Sequence, residues 1–334
     1  MMLFITPIFA KFCELFHFLT NMAPGIRTAA LILITVCLPI VLFAQSSVTY
    51  EFLRNEVSAR AAGLGGSFVT GIDDPNVIFY NPAGLATLSG RRISVGYLQH
   101  LVDIKSGHFS FGTEIPNLGF IGAGVLYVNY GDFDRTGDEG QNLGTFSAGD
   151  LAIAAGYAGN IQPRMTYGVN AKFIYSSIAE ARSSAAAVDF GIQYIAVADR
   201  MVLGLSVLNL GTQFSPYMTT RENLPLDLNV GMSFYPEHLP AMLVVNFHKL
   251  TEARDSFGDR LRVFSVGVEF TPGPNVHLRA GYNNERRQDL KIQNSLGLSG
   301  FSVGGGINTE GYTIDYAFTS FGEIGGVHRV TLSF

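Results

Sequence analysis

From about residue 91 onward, apolar and polar positions alternate with period two. Tyr167, Val169, Ala171, Phe173 and Tyr175 interleave with Gly168, Asn170, Lys172 and Ser176. Leu226, Leu228, Val230, Met232 and Phe234 interleave with Asp227, Asn229, Gly231 and Ser233. Phe264, Val266, Val268 and Phe270 do the same with Ser265, Gly267 and Glu269, and Tyr312, Ile314, Tyr316 and Phe318 with Thr313, Asp315 and Thr319. Successive side chains of a strand point to opposite faces, so each stretch predicts a strand between two different media. About fourteen strands are predicted, at 91–99, 106–112, 118–130, 146–158, 165–177, 185–196, 201–210, 226–235, 240–250, 261–271, 275–283, 299–307, 311–319 and 327–334. Most suit a tilted membrane crossing of roughly 9–11 residues. The second, carried by Phe109 and Phe111, has the faintest pattern.

The connections alternate in length. Thr113–Asn117, Gly159–Arg164, Val197–Arg200, Pro236–Leu239, Pro272–Asn275 and Asn308–Gly311 are short and carry turn residues. Between them fall the longer polar segments Gly131–Thr145, Gly211–Pro225, Thr251–Arg260 and Asn284–Leu298. Bacterial membrane barrels have this arrangement, with short turns on the periplasmic side and long loops outside. A charge on the lipid face costs about 2–4 kcal/mol at mid-bilayer, so Lys172, Asp227, Glu269, Asp315 and Arg329 should face the lumen. A soluble two-sheet sandwich shows the same alternation. The last nine residues favour the barrel. Val330, Leu332 and Phe334 alternate with Arg329, Thr331 and Ser333, and the final aromatic resembles the assembly signal of outer-membrane barrels. Such a strand must pair with the first, because lipid offers no partner to a free edge. The expected fold is an all-β transmembrane antiparallel barrel.

Residues 45–90 do not fit the meander. Glu56–Gly63 reads as a short helix ended by glycine, while Gly63-Leu64-Gly65-Gly66, Asp73-Asp74-Pro75 and Asn81-Pro82-Ala83-Gly84-Leu85 read as tight turns. A barrel of fourteen strands is too wide for its own side chains to fill, so this segment is expected to plug the lumen, with the turn at Asn81, Pro82 and Gly84. Residues 1–44 have the layout of a signal peptide: an apolar run Ala29–Phe43 after Arg27, with cleavage expected after Ala44 and Met22 as an alternative start.

Composition sharpens this reading. Gly 38, Phe 26 and Tyr 14 stand against only 15% charged residues, a balance poor in helix-building residues. Both cysteines, Cys13 and Cys37, lie in the leader, so the exported chain has no thiol chemistry. Removing Lys11, Arg27 and Glu14 with the leader takes the net charge from −5 to −6, which gives no support for nucleic-acid binding.

Few motifs suggest chemistry. Gly300-Phe301-Ser302-Val303-Gly304 spells the hydrolase elbow G-x-S-x-G, but Ser302 falls inside a glycine-rich strand with no helix following. The histidines from His100 to His328 show no spacing that selects a partner for it. Asp132, Asp134 and Asp138 echo the start of a calcium loop, yet Leu143 stands where the bidentate acid belongs. No cofactor or metal site is expected, and the chain reads as a non-enzyme. Arg286, Arg287, Asp289 and Lys291 cluster in a loop expected outside the membrane, where they are either solvated or available to partner proteins or a phosphate-bearing glycolipid.

Several stretches are similar to a known family. Phe52-Leu53-Arg54, Ser58 to Gly66, Asp73-Asp74-Pro75 and Tyr80 to Leu85 resemble the opening of PorV/PorQ outer-membrane barrels of the type IX secretion system, whose fold is FadL-like. Tyr127 to Asp134, Gly144 to Asp150, Leu208 to Gln213 and Leu224 to Asp227 resemble the PorQ branch. The resemblance implies a non-enzymatic outer-membrane barrel that anchors a surface complex, with a sortase-like protein, its companions and anionic lipopolysaccharide as partners. The alternative it leaves open is a FadL-like passive transporter of hydrophobic small molecules. Replacing the loop at Arg286 and Arg287 should damage the first role, and changes at Asn81 the second.

Overall fold

The computed structural model describes residues 48–101, 103–198, 200–252, 254, 256–290 and 298–334. The leader, its alternative start and Lys291 lie outside these residues. Fourteen antiparallel strands close into a barrel: β1 (Arg92–Gln99), β2 (Lys105–Ile115), β3 (Gly119–Thr136), β4 (Asn142–Gln162), β5 (Met165–Ile178), β6 (Ala181–Val197), β7 (Met201–Ser215), β8 (Asp227–Phe234), β9 (Ala241–Phe247), β10 (Phe264–Gly273), β11 (Val276–Asn283), β12 (Phe301–Thr309), β13 (Tyr312–Ser320) and β14 (Gly326–Ser333). Each pairs with its sequence neighbours. β1 pairs with β14 through Val95 opposite Leu332 and Tyr97 opposite Val330. Phe334 finishes the seam by exchanging backbone hydrogen bonds with Ile93 at 2.7 and 2.8 Å. No backbone edge is left facing lipid.

The alternation sorts side chains as two media require. Tyr97, Phe109, Tyr127, Phe173, Phe190 and Leu243 are among the large apolar residues exposed on the outer wall. A belt of this kind continues onto β10–β14 through Val268, Leu278, Val303, Ile314 and Val330. An apolar surface encircling the molecule is suited to hydrocarbon and not to water. Lys172, Asp227, Glu269, Asp315 and Arg329 all point inward and are buried.

The wall has unequal height. β3 to β7 run for 14 to 21 residues, whereas β8 to β14 run for 7 to 10. One expected loop is therefore largely strand and another is strand in its first third. Most of Gly131–Thr145 belongs to β3 and β4, where Asp132 pairs with Ser147 and Phe133 with Phe146, and β7 takes in Gly211–Ser215. The extended backbone at Asp132 and Asp134 cannot curl around a calcium ion as a turn would. The lower wall is topped instead by the short helices Phe257–Arg260 and Asn284–Asp289.

Residues 48–90 fill the lumen. The plug helix is Ala59–Gly63, shorter than expected at its start; the Ser58 side chain caps it by accepting from Ala61 N–H. Two 3₁₀ turns follow, Pro75–Phe79 and Pro82–Thr87, each led by an Asx cap and a proline. Glycines of the wall make room for this backbone. A Cβ at Gly168 would lie 2.2 Å from the Pro82 carbonyl carbon, and one at Gly281 would lie 2.1 Å from Gly65 N.

Candidate functional site

The plug divides the lumen, and a cavity lies on either side of it. The larger, about 490 Å³, opens at the rim that carries the long connections. Phe52, Leu53, Val69, Phe79, Leu208 and Phe321 give it an apolar and aromatic wall, with Tyr80 and Tyr130 adding polar tips. The charged groups around it are largely committed to one another. Arg54 meets Glu252 at 2.7 Å, Arg286 meets Glu56 at 2.6 Å, and Lys249 meets Glu285 at 3.0 Å. Burial would raise the Glu285 carboxyl, but hydrogen bonds and charge from His248 and Lys249 bring it down to about 2. A charged ligand would have to break these pairs, so the cavity best accommodates a neutral, largely apolar molecule.

The second cavity, about 350 Å³, lies at the rim where the chain ends and is polar. Arg60, Asp73, Asp74, Arg92, Arg279 and Asp315 line it. Arg60 forms a fork on Glu269, with both bonds at 3.2 Å. Arg279 joins Glu269 at 2.6 Å to Asp315 at 2.5 Å. This buried chain ties the plug helix to β10, β11 and β13. A second cluster, Glu56 with Arg329 at 3.1 Å and with Arg286, ties the same end of the plug to β14 and to the rim helix Asn284–Asp289.

The plug turn is fixed by different chemistry. The Asn81 side chain accepts from Ala83 N–H at 3.1 Å and donates to the carbonyls of Val69 at 2.8 Å and Ile192 at 3.3 Å. Pro82 starts the second 3₁₀ turn, and Gly84 is required where a Cβ would meet the Val77 side chain and the Gly71 carbonyl at under 3.0 Å. Asn170 of β5 donates to the Ile78 carbonyl at 2.7 Å, and Gln193 of β6 donates to Val69 and Gly71 at 3.1 and 3.0 Å.

Of the four loop residues singled out from sequence, the three described ones have separate surroundings. Arg286 turns inward to Glu56 and stacks over Phe321 at 5.0 Å. Arg287 donates to Ser299 at 3.2 Å, Asp289 is exposed at the rim, and Lys291 lies outside the described residues. Ser302 sits inside β12 with its hydroxyl donating to the Gly63 carbonyl at 3.4 Å, a plug contact without a histidine. Sequence reading missed Arg60 and Glu56, whose partners lie far off on the barrel, and Phe68, whose ring contacts Tyr80 and Arg60 lie within the plug. Their one visible sign was an ionisable or bulky aromatic residue in a segment made mostly of small ones.

A closed transmembrane barrel with an occluded lumen is the class these features define. No protein-family profile matches the chain, and no curated protein matches it. Among solved structures it is similar to the toluene transporter TodX of Pseudomonas putida, with 11% identity and a TM-score of 0.57 over 87% of this chain and 98% of that one. The toluene transporter TbuX of Ralstonia pickettii matches with 13% identity and a TM-score of 0.55 over 84% and 97%. A FadL homologue of Pseudomonas aeruginosa matches with 10% identity and a TM-score of 0.51 over 83% and 98%. These likenesses establish a FadL-like fold.

Proposed function

We propose that the protein is a passive, non-enzymatic transporter of small hydrophobic molecules in a bacterial outer membrane, exported there by residues 1–44. The observation that carries this reading is the cavity of about 490 Å³ at the loop rim, where aromatic side chains sit among ion-paired charges, set inside a lipid-facing barrel and blocked from below by the plug. Its volume is in the usual ligand range of roughly 300–1,000 Å³, and a dry apolar cavity of about 150 Å³ is enough to hold benzene. The fold shared with two toluene transporters supports the same ligand class. The alternative implied by the PorQ-like resemblance, docking a surface attachment complex, has less support. Of its loop residues, Arg286 is already engaged by Glu56.

The test is uptake of radiolabelled toluene by intact Gram-negative cells that lack their own hydrocarbon channels. The full chain should speed uptake over an empty-vector control, and Leu53→Trp, which narrows the loop-rim cavity, should return it toward the control. Equal uptake with and without the protein would overturn the reading.

A further inference from the structure

The inner face of β8 carries two side chains with hydrogen-bonding capacity to spare. Asn229 is 5% exposed and lines the loop-rim cavity. Its amide has no hydrogen-bond partner among the described residues, and its polar atoms are not sealed in protein, so the space they reach is the cavity itself. Four buried carboxamides among the described residues line this cavity, and the other three are engaged. Asn209 accepts from Lys172 Nζ at 2.9 Å and donates to the Pro225 carbonyl at 3.1 Å. Asn283 accepts from Arg286 N–H at 3.0 Å. With its amide oriented so that both ends find partners, Asn246 of β9 accepts from the N–H groups of Phe68 and Val69 at 2.8 and 3.0 Å.

Asp227, two residues earlier on the same face, is the second. One of its carboxylate oxygens accepts from Lys249 N–H at 2.6 Å, and the other has no partner among the described residues. It lines the same cavity and is 6% exposed. Strand residues i and i+2 project side by side about 7 Å apart, so a carboxylate and an amide stand together on the cavity wall. They stand near its floor, because Gly231, the next residue on this face, would bring a Cβ to 3.0 Å from Val69 Cβ of the plug. Across the ladder on β7, Leu208 opposes Asp227 and adds apolar surface to the cavity, while Ser206 opposes Asn229 and its buried hydroxyl has no partner either. Buried amides and carboxylates are ordinarily satisfied, and a pair left open toward a cavity calls for a ligand that completes them.

We infer that the loop-rim cavity takes a neutral aromatic solute bearing a hydroxyl group: Asn229 donates to the hydroxyl oxygen, the hydroxyl donates to the open oxygen of Asp227, and the apolar lining receives the ring. The inference deepens the transport reading and rests on it for the ring, while β8 supplies the reason for the hydroxyl. A plain hydrocarbon would fill the same space and leave both side chains without partners. A carboxylate would set a second negative charge against Asp227, which takes part in no ion pair among the described residues. Asn229 is therefore the residue that selects among solutes of one shape, a role distinct from that of the apolar lining, which all of them would use.

The experiment measures equilibrium binding of radiolabelled p-cresol, toluene and p-toluate to the purified full chain in detergent, with the uptake of protein-free micelles subtracted. p-Cresol should bind about ten-fold tighter than toluene, as expected for one hydrogen bond to a charged acceptor, and p-toluate should bind weakest of the three. Asn229→Leu, which keeps the shape and removes the amide, should weaken p-cresol about ten-fold and leave toluene as tight or tighter. Asn229→Ala should lose the same preference, and the heat-dependent gel shift typical of a folded barrel should confirm assembly of each variant. Equal affinity of the unaltered chain for p-cresol and toluene, p-toluate bound as tightly as p-cresol, or a preference for p-cresol that survives in both variants would overturn the inference and leave the transport reading standing. Binding of none of the three would overturn the transport reading and the inference with it.

Discussion

The plug meets a tall wall and a low wall, and the two hold it by different means. Against β3 to β6 lie the 3₁₀ turns, with Ile78 and Leu85 fully buried and neutral Asn and Gln side chains capturing backbone carbonyls. Against β10 to β14 lies the helix Ala59–Gly63, flanked by the ion pairs of Arg60, Glu269, Arg279 and Asp315 and those of Glu56, Arg286 and Arg329. Neutral bonds to backbone fix a segment in one place with little dependence on pH or salt. Buried ion pairs are a weaker guarantee of stability, because desolvating both charges offsets much of their attraction, and losing one partner leaves the other stranded. The tall wall is thus the anchor. The low wall carries the charge that borders both cavities.

Four changes separate the two walls, in falling order of effect. Gly168→Val on the anchoring side should prevent the plug from seating at all, because the new side chain would occupy the place of the Pro82 backbone. Rapid trypsin cleavage within residues 55–90 of an otherwise assembled barrel would show this, and a protected plug would contradict it. On the charged side, Arg279→Leu strands Asp315 in a buried site and leaves Glu269 to Arg60 alone. Breaking such a pair costs about 3–5 kcal/mol, read as a lower urea midpoint of unfolding. Restoring the charge balance by adding Asp315→Asn should recover part of the loss.

Asn81→Ala returns to the anchor and removes a cap together with two donated bonds, leaving the Ile192 and Val69 carbonyls with fewer partners. Its cost should be about 1–3 kcal/mol by the same measurement. The smallest effect is the acid response of the rim. Glu285 titrates at about 2, below its ordinary value of 4.5, so its contribution is complete above pH 4.5 and disappears as the pH falls toward 2. Hydrogen exchange in the helix Asn284–Asp289 should therefore quicken, relative to the plug turn at Asn81, between pH 5 and pH 3. Equal slowing or quickening at both places would erase the distinction.

The barrel itself is legible in the sequence because the medium writes it there. Each crossing has one face against lipid and one against the lumen, and the strands expected from alternation at Tyr167–Tyr175 or Phe264–Phe270 fall within β5 and β10. The pattern fades where the physical reason for it ends. Residues Gly131–Thr136, Asn142–Thr145 and Gly211–Ser215 continue as strand beyond the apolar belt, where both faces are largely wet and no alternation is imposed, so they read as loops. The inward turn of Arg286 was illegible for another reason. Its partner Glu56 is 230 residues away along the chain, and nothing in a mixed-charge loop says which member will be claimed by the interior. Phe68 lies in a segment with no period, so its contacts with Tyr80 and Arg60 follow only from the folded path.

The seam between β1 and β14 has a consequence for how the molecule is put together. The 3₁₀ turns and the helix of residues 48–90 touch β1 to β6 and β11 to β14, with backbone seated in hollows that only glycine leaves open. An object keyed to the inside of a ring at so many points cannot be pushed in through an end once the ring is shut. The sheet must instead wind around residues 48–90 as cloth around a bobbin, and Phe334 fastens the last edge over a core already in position.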